Sequence, residues 1–427
     1  MLDIKFIRDH RDLIANAIRD KRVHADLDRL LAVDEAIRDQ QNELETLQAE
    51  RNRLSKAIGQ ASPDEREALK DQVSGLKPRM EELNQTVSTL KAEWRELMLL
   101  IPAPPRADVP VGKDDQDNVE VRTWGQRPEF SFKPKDHVEL GQLHDLIDIP
   151  RGVKLAGSRS YILKGDGSRL ESALLQFARD HLHKKGYQQL TVPVLVKEDC
   201  MEGTGYFPNG RDQAYLVERD ELSLVGTAEV SIASMHTDEI LDEGQLPLKY
   251  MAQSSCFRRE AGTYGKDTHG LYRVHQFQKV EQVILAKADE EDSAKLHDEL
   301  LHNAEELMQA LELPYRVVYV CTGDLGQGQV RKHDIETWMP SRQFYSETHS
   351  CSTFHDFQAR RLMIRYRDDD KKKRYCYTLN NTAIATPRVL IPLLEVHQQA
   401  DGRIRIPEVL RPYMGGQEYI GQPQSDA

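Results

Sequence analysis

Two interleaved series of apolar residues, each stepping by seven, run through the first hundred positions of the chain. Leu30, Ile37, Leu44 and Ile58 form one series and Val33, Leu47 and Leu54 the other, with Arg51 filling one slot of the first. A second stretch repeats the arrangement, setting Leu69, Leu76, Leu83, Leu90 and Leu97 against Val73, Met80, Val87 and Trp94. Such a pair of series is the seam of a coiled coil. Between the two stretches lies Gly59-Gln60-Ala61-Ser62-Pro63-Asp64-Glu65. Gly59 can end one helix, Ser62 can cap the next, Pro63 suits its first position, and Glu65 completes a capping box. A tight reversal there predicts an antiparallel hairpin arm over residues 27–97. Each helix would be roughly 45–50 Å long at 1.5 Å per residue. Gly75 and Pro78 interrupt the return helix, which predicts a kink or a late restart, and the unbroken heptad phase favours the kink.

The Pro-rich stretch Ile101-Pro102-Ala103-Pro104-Pro105 ends the arm, and residues 101–117 read as an extended linker. Beyond it the pattern predicts helices over 134–145 and 168–185. It also predicts strands over Gln188–Val196, Arg273–Leu285 and Arg361–Tyr366, the last pairing with Arg374–Leu379 across Asp368-Asp369-Asp370. Strands with flanking helices, lacking a regular βαβ alternation, predict an α+β domain on an antiparallel sheet. The expected organisation is an N-terminal unit over 1–100, a linker over 101–117 and a second domain over 118–427. Neither a P-loop nor a GxGxxG after a strand is present, so neither common nucleotide fold is supported.

Composition sharpens this picture in three ways. Apolar residues make up 39% and charged residues 30%, so part of the chain must be mostly surface, as an extended arm would be. No apolar run reaches the ~20 residues of a membrane span, and the opening Met1-Leu2-Asp3-Ile4-Lys5 lacks a signal-peptide core, so a cytoplasmic protein is expected. Cys200, Cys256, Cys321, Cys351 and Cys376 are scattered without a CxxC pair, which predicts reduced thiols and no zinc site. A net charge of −12 disfavours a general nucleic-acid binder, although only a docking surface has to be basic. Residues 27–100 themselves carry 11 basic and 15 acidic side chains, so any nucleic-acid contact must use one face of the arm.

The segment Cys256-Phe257-Arg258-Arg259-Glu260-Ala261-Gly262, followed after a polar loop by Arg273-Val274-His275-Gln276-Phe277-Gln278-Lys279-Val280-Glu281, reads as a strand hairpin. It would bring Arg258, Glu260, Phe277 and Glu281 together. An Arg fork suits a phosphate, a ring can stack on a base, and a carboxylate can hold an ammonium group. Alone, these residues fit an exposed, salt-bridged hairpin equally well. Arg388 falls near the start of a helix, where an anion is also favoured. Lys371-Lys372-Lys373-Arg374, next to three aspartates, is read as a solvated turn with self-compensating charge rather than a nucleic-acid patch.

The whole chain closely resembles seryl-tRNA synthetases of the bacterial and eukaryotic cytosolic type, which are class II aminoacyl-tRNA synthetases. The resemblance rests on Met1-Leu2-Asp3-Ile4, the helical arm, Gly203-Thr204-Gly205, Gly226-Thr227-Ala228-Glu229 and the Cys256–Glu281 block. It extends through Ser350-Cys351-Ser352, Asp356-Phe357-Gln358-Ala359-Arg360-Arg361 and the tail Ile406–Tyr413, all in the family's order and spacing. It implies a class II catalytic domain and serine activation by ATP. It also implies charging of tRNA(Ser) and tRNA(Sec), Mg²⁺ with the ATP, and a homodimer built around Pro193.

By the same resemblance, Thr227, Ala228, Glu229, Glu281, Asn380 and Thr382 belong to the serine pocket. Arg258 matches the α-phosphate contact, and Arg259 and Glu260 lie beside it. Val274 and Phe277 match positions at the adenine. Glu347, Thr348, His349 and Ser350 match the ATP-binding stretch, with Glu347 and Ser350 at the metal. Arg388 matches the arginine that reaches the γ-phosphate, so Arg258 and Arg388 are the implied catalytic pair. On the arm, Arg38, Arg51, Arg53, Lys56, Lys70 and Lys77 are the candidates for tRNA contact.

Some positions depart from the family pattern: His349, Thr353, His269 and Asn381-Thr382 replace commoner residues, and Pro392 should bend the helix after Arg388. Two other functions are weighed against this one. A ligase that loads amino acids onto carrier proteins would lack the arm. A non-catalytic tRNA-binding relative would be expected to lose Arg258, Glu281 or Arg388.

Overall fold

The seven-residue spacing becomes a hairpin of two long helices, Leu27–Ile58 and Pro63–Leu100. The computed structural model describes residues 1–262, 265 and 269–423. Leu30, Val33, Ile37, Leu44 and Leu54 are buried on the outgoing helix, and Met80, Leu83 and Val87 on the returning one. Leu44, Met80 and Leu83 form the middle of the seam, packed by Leu47 and Leu76. Ion pairs Arg29–Glu93 and Arg79–Glu43 bridge the helices on one flank and help set their register. The turn follows its sequence signals: Gly59 ends the first helix, Pro63 opens the second, and the Glu65 carboxylate accepts from the Ser62 amide at 3.0 Å.

The return helix runs unbroken through Gly75 with Pro78 inside it, so no restart occurs. Pro78 and Ser74, whose carbonyl loses its helical donor, both lie on the exposed side, where water can replace the missing bond. Two short helices, Ile4–Asp9 and Arg11–Asp20, precede the arm, and Ile7 and Ile14 pack with Leu27, Leu30, Met98 and Ile101 at its base.

This first compact unit spans Met1–Pro102, and the second begins at Ala103. Residues 103–114 form no helix or strand, a single 3-10 turn follows at Asp115–Asp117, and the stretch is tied to the second unit. The Ala103 amide donates to the Gln327 carbonyl and the Arg106 amide to that of Val330, each at 2.9 Å.

The second unit is built on a sheet of eight strands. In chain order they are β1 (Val119–Trp124), β2 (Gln188–Leu190), β3 (Leu248–Phe257) and β4 (Gln276–Ala286), then β5 (Tyr315–Tyr319), β6 (Arg331–Met339), β7 (Phe344–His355) and β8 (Tyr377–Thr386). Their spatial order is β1-β5-β6-β7-β8-β4-β3-β2, antiparallel except for the β2–β3 pair. Helices Asp166–Lys184 and Glu290–Ala310 supply Leu170, Leu174, Leu300 and Leu307 to a core that includes Val280, Ile284, Ile335 and Leu379 of the sheet. On β4 the residues alternate: Val280, Gln282 and Ile284 take one face, and Phe277, Lys279 and Glu281 the other.

Two bulges lie close together in β7 and β8. Between the pairs Ile335↔His349 and Glu336↔Glu347, Thr348 is an extra residue; between Thr382↔Glu281 and Ile384↔Val280, Ala383 is. Each resets the alternation, so Glu347 and Ser350, and likewise Thr382 and Ala385, share a face although they stand three apart.

Several expected elements shift. The strand over Gln188–Val196 is two strands, β2 and Leu195–Lys197, because Pro193 has no amide to continue the ladder. Arg361 lies in the helix Phe357–Leu362, and only Arg365–Arg367 is strand there, paired with Lys373–Tyr375. Pro392 falls in the first turn of the helix Leu390–Val396, where no intrahelical bond needs its amide, so it does not act as an interior breaker. The Lys371–Arg374 turn neutralises itself, with Arg374 on Asp368 at 2.7 Å and Lys372 on Asp370 at 3.5 Å. Among the described residues all five cysteines are free, and no helix is long and apolar enough to cross a membrane.

Leu83 is fully buried in the seam, so Leu83→Ala should destabilise the first unit by about 2–5 kcal/mol. Urea unfolding of the full chain, followed by circular dichroism at 222 nm (the wavelength of helix), measures the loss.

Candidate functional site

The β3–β4 hairpin is the frame of the site. Cys256 pairs with Phe277, and the Arg258 amide donates to the His275 carbonyl at 2.9 Å, carrying the ladder one step beyond the strands. Arg258 therefore falls on the same face as Phe277, and its guanidinium lies 5.3 Å from the centre of that ring. Its Nη2 also reaches the Gly226 carbonyl at 3.5 Å. Glu260 turns back at a positive φ of 54° and accepts from Arg273 at 3.2 Å.

From the other direction, Arg388 follows the end of β8 and donates to the Glu347 carboxylate at 3.3 Å and to its carbonyl at 3.2 Å. Tyr272 lies beneath both Arg388 and Arg342, 4.5 and 4.2 Å from the two guanidinium carbons. Burial alone would raise the Glu347 carboxyl, but Arg388, Lys332 and Arg258 outweigh it and hold the group below the usual range.

Arg258 and Arg388 line one cavity, together with Glu260, Tyr272, Val274, Phe277, Lys279, Glu347, Thr348, Ser350 and Thr382. Behind its wall lies a buried polar cluster. Lys279 is ion-paired with Glu281, and the Thr382 hydroxyl stands 3.4 Å from both the Lys279 ammonium and a Glu281 oxygen. Glu229, at the start of helix Ala228–Ser234, accepts from Gln358 at 2.7 Å and from Tyr206 at 3.1 Å. The Thr227 hydroxyl caps the same helix by accepting from the Glu229 amide at 3.3 Å. Burial, and then the charge on Glu281, push the Glu229 carboxyl up to about 7. Such a cavity can hold a polyanion against its guanidinium groups and an ammonium against its carboxylates.

The expected site residues thus fall into three groups. Arg258, Glu260, Val274, Phe277, Glu347, Thr348, Ser350, Thr382 and Arg388 line the cavity. Thr227, Ala228, Glu229, Glu281 and Asn380 are buried and do not line it. Arg259 and His349 stand apart. The Arg259 amide donates to the Gln213 carbonyl, while His349 is buried against the Thr348 hydroxyl at 2.8 Å and pushed down to about 3 by burial. Asn381 is also accounted for: it turns away from the cavity and joins Gln282 to the Ser350 carbonyl.

Tyr272, Lys279, Tyr206 and Gln358 were not among the expected residues. Lys279 was findable, because it alternates with Phe277 and Glu281 on one strand face. The others depend on tertiary approach. On the arm, Arg38 is paired with Asp34 and Arg53 with Glu50, Arg51 donates to Asn52, and Lys56, Lys70 and Lys77 are exposed. Among the described residues no three His, Cys, Asp or Glu side chains group to hold a metal ion.

The sheet that carries both arginines is the core of a class II aminoacyl-tRNA synthetase, as the family models show. The family model for the tRNA synthetase class II core domain (G, H, P, S and T) matches residues 215–397, and that for the seryl-tRNA synthetase N-terminal domain matches residues 1–105. The chain belongs to the seryl-tRNA synthetase family. It is 48% identical to the serine–tRNA ligase of Deinococcus radiodurans, over 99% of this chain and all of that one. The crystal structure of Pyrococcus horikoshii seryl-tRNA synthetase complexed with ATP superposes with a TM-score of 0.92 at 40% identity, covering both chains fully. The Naegleria fowleri cytoplasmic serine–tRNA ligase in complex with AMP gives 0.86 at 31% identity, covering 98% of each chain.

Lys279→Met should destabilise the second unit by about 3–5 kcal/mol, because it leaves Glu281 charged and buried without its partner. Adding Glu281→Gln should recover most of that loss in a urea unfolding cycle.

Proposed function

We propose that the chain activates L-serine with ATP and passes the seryl group to tRNA(Ser), with tRNA(Sec) as a second acceptor, as a cytoplasmic homodimer. The observation that carries this reading is the meeting of Arg258 and Arg388 on one cavity, beside the buried Lys279–Glu281–Thr382 cluster. The serine carboxylate attacks the α-phosphate in line, and pyrophosphate leaves with the bond electrons. A ribose hydroxyl at the tRNA terminus then takes the acyl group from the adenylate, and AMP leaves. No protein nucleophile is needed, so catalysis is positioning and charge neutralisation.

Arg258 neutralises the α-phosphate and Arg388 the γ-phosphate, while Phe277 stacks on adenine above Val274. Thr382 and Glu281 offer hydrogen bonds to the serine hydroxyl, which is how a site rejects alanine. Glu229 carries the counter-charge for the ammonium. Glu347 and Ser350 would hold Mg²⁺: they offer hard oxygen donors on the cavity, and the carboxylate is kept charged by its basic neighbours. Bound with ATP, the ion supplies further neutralisation of phosphate charge. Nothing in this chemistry calls for zinc.

The arm lies against the tRNA and reads its shape and backbone. Lys56, Lys70 and Lys77 are its leading contacts, with Arg51 beside them, because Arg38 and Arg53 are already held by acidic neighbours. Dimerisation around Pro193 is supported by Leu195, which is 44% exposed in the single chain.

Pyrophosphate exchange with serine, alanine, threonine and glycine, followed by charging of total tRNA, tests the assignment. Serine alone should support exchange, and activity with glycine but not serine would overturn it. Arg258→Ala should reduce exchange to background, a loss of roughly 3–4 kcal/mol of transition-state stabilisation by comparison with oxyanion donors. Deleting residues 27–97 should leave exchange intact and remove tRNA charging; loss of both would assign the arm a folding role instead.

A further inference from the structure

The Asp356–Arg361 stretch is prominent in the sequence, yet the activation chemistry gives it no task. Its residue Gln358 lies on the short helix Phe357–Leu362 and is 1% exposed. Its amide nitrogen donates to Oε1 of Glu229 at 2.7 Å and to the Thr204 carbonyl at 3.0 Å. Its amide oxygen accepts from the Thr378 hydroxyl at 2.6 Å. The amide therefore has one workable orientation, since the reverse would set its oxygen against a carboxylate and a carbonyl. The Tyr206 hydroxyl donates to the other Glu229 oxygen at 3.1 Å.

We propose that Gln358 and Tyr206 are positioning residues that hold the Glu229 carboxylate aimed at the amino-acid ammonium, and so set serine affinity without touching serine. The inference rests on reading the buried Glu229–Glu281–Lys279 cluster behind the cavity wall as the serine site. Its physical basis is a conflict of charge. Burial and the facing Glu281 on β4 drive Glu229 toward its neutral form, and Gln358, then Lys279, then Tyr206 oppose them. Arg258 acts on the Tyr206 side of the same cluster. A neutral Glu229 would leave the ammonium without its counter-charge, and a hydrogen bond to the charged form is what keeps that form populated.

The test is serine-dependent pyrophosphate exchange across pH in the full chain, with Gln358→Met, Tyr206→Phe and Thr378→Val. In the unmodified chain kcat/KM for serine should fall on an acid limb near neutrality, where Glu229 takes up its proton. Gln358→Met should move that limb up by about one pH unit, the scale of one hydrogen bond to a charged group. It should raise the serine KM at pH 7 roughly fivefold, approaching tenfold at lower pH, and leave the ATP KM within twofold. Tyr206→Phe should act in the same direction, by less. Thr378→Val, which releases the Gln358 amide without touching Glu229, should do so too, and these two variants carry the test if Gln358→Met does not fold. At pH 8.5 all three should recover most of their serine affinity, because the carboxylate is then ionised in each. An unmoved limb, or serine and ATP KM values rising together at every pH, would overturn the proposal. No serine-dependent exchange in the unmodified chain would overturn the serine reading itself, and this proposal with it.

Discussion

Two guanidinium groups can face one half-buried cavity only if a negative charge limits their repulsion. Glu347 provides it. Its carboxylate takes a hydrogen bond from Arg388, and its ionised form is favoured by Arg388, Lys332 and Arg258 together. The remaining geometry keeps this arrangement in place. β4 and β8 are neighbours at the centre of the sheet, Arg258 follows β3 and Arg388 follows β8, so two side chains far apart in sequence emerge beside each other. Tyr272 then gives Arg388 a flat surface to lie on and keeps it extended.

The buried polar cluster behind the cavity wall meets a different electrostatic problem. Glu229 and Glu281 are both buried, and Lys279 is the basic side chain paired directly with either. With Glu229 ionised, such a cluster has one negative charge in excess. That excess suits a pocket meant for a cation, since an ammonium entering it completes the balance instead of disturbing it. The neutral donors Gln358 and Tyr206 hold the two Glu229 oxygens and Thr382 holds one oxygen of Glu281, which distinguishes a specific arrangement from a merely acidic one.

Legibility in the sequence followed the range of the forces involved. The arm was readable almost residue by residue, because a coiled-coil seam repeats locally and the Ser62–Glu65 cap spans only four positions. The β3–β4 hairpin was likewise visible, with Phe277, Lys279 and Glu281 alternating on one strand. What escaped were features settled by distant partners. The strand expected over Arg361–Tyr366 gave way to a helix whose Arg361 bonds the carbonyls of Glu202 and Phe207. Pro392 looked like an interior breaker because the helix was taken to start near Arg388, whereas it begins at Leu390. His349 sat inside a motif stretch and was grouped with the ligand contacts, yet the strand alternation turns it into the core. The family resemblance supplied the roles; the local pattern alone had left the hairpin open to a bland surface reading.

The paired bulges of β7 and β8 carry a consequence of their own. Ala383 brings only a methyl group and the Thr348 hydroxyl is held by Thr337 and His349, but each is the odd residue that breaks the two-residue rhythm of its strand. Shortening either strand by that one position would restore a regular pleat and rotate the chain beyond it by half a turn. Glu347 would part from Ser350, or Thr382 from Ala385, with every chemically active group still encoded. At these two points the spacing of the polypeptide itself decides which side chains face the cavity.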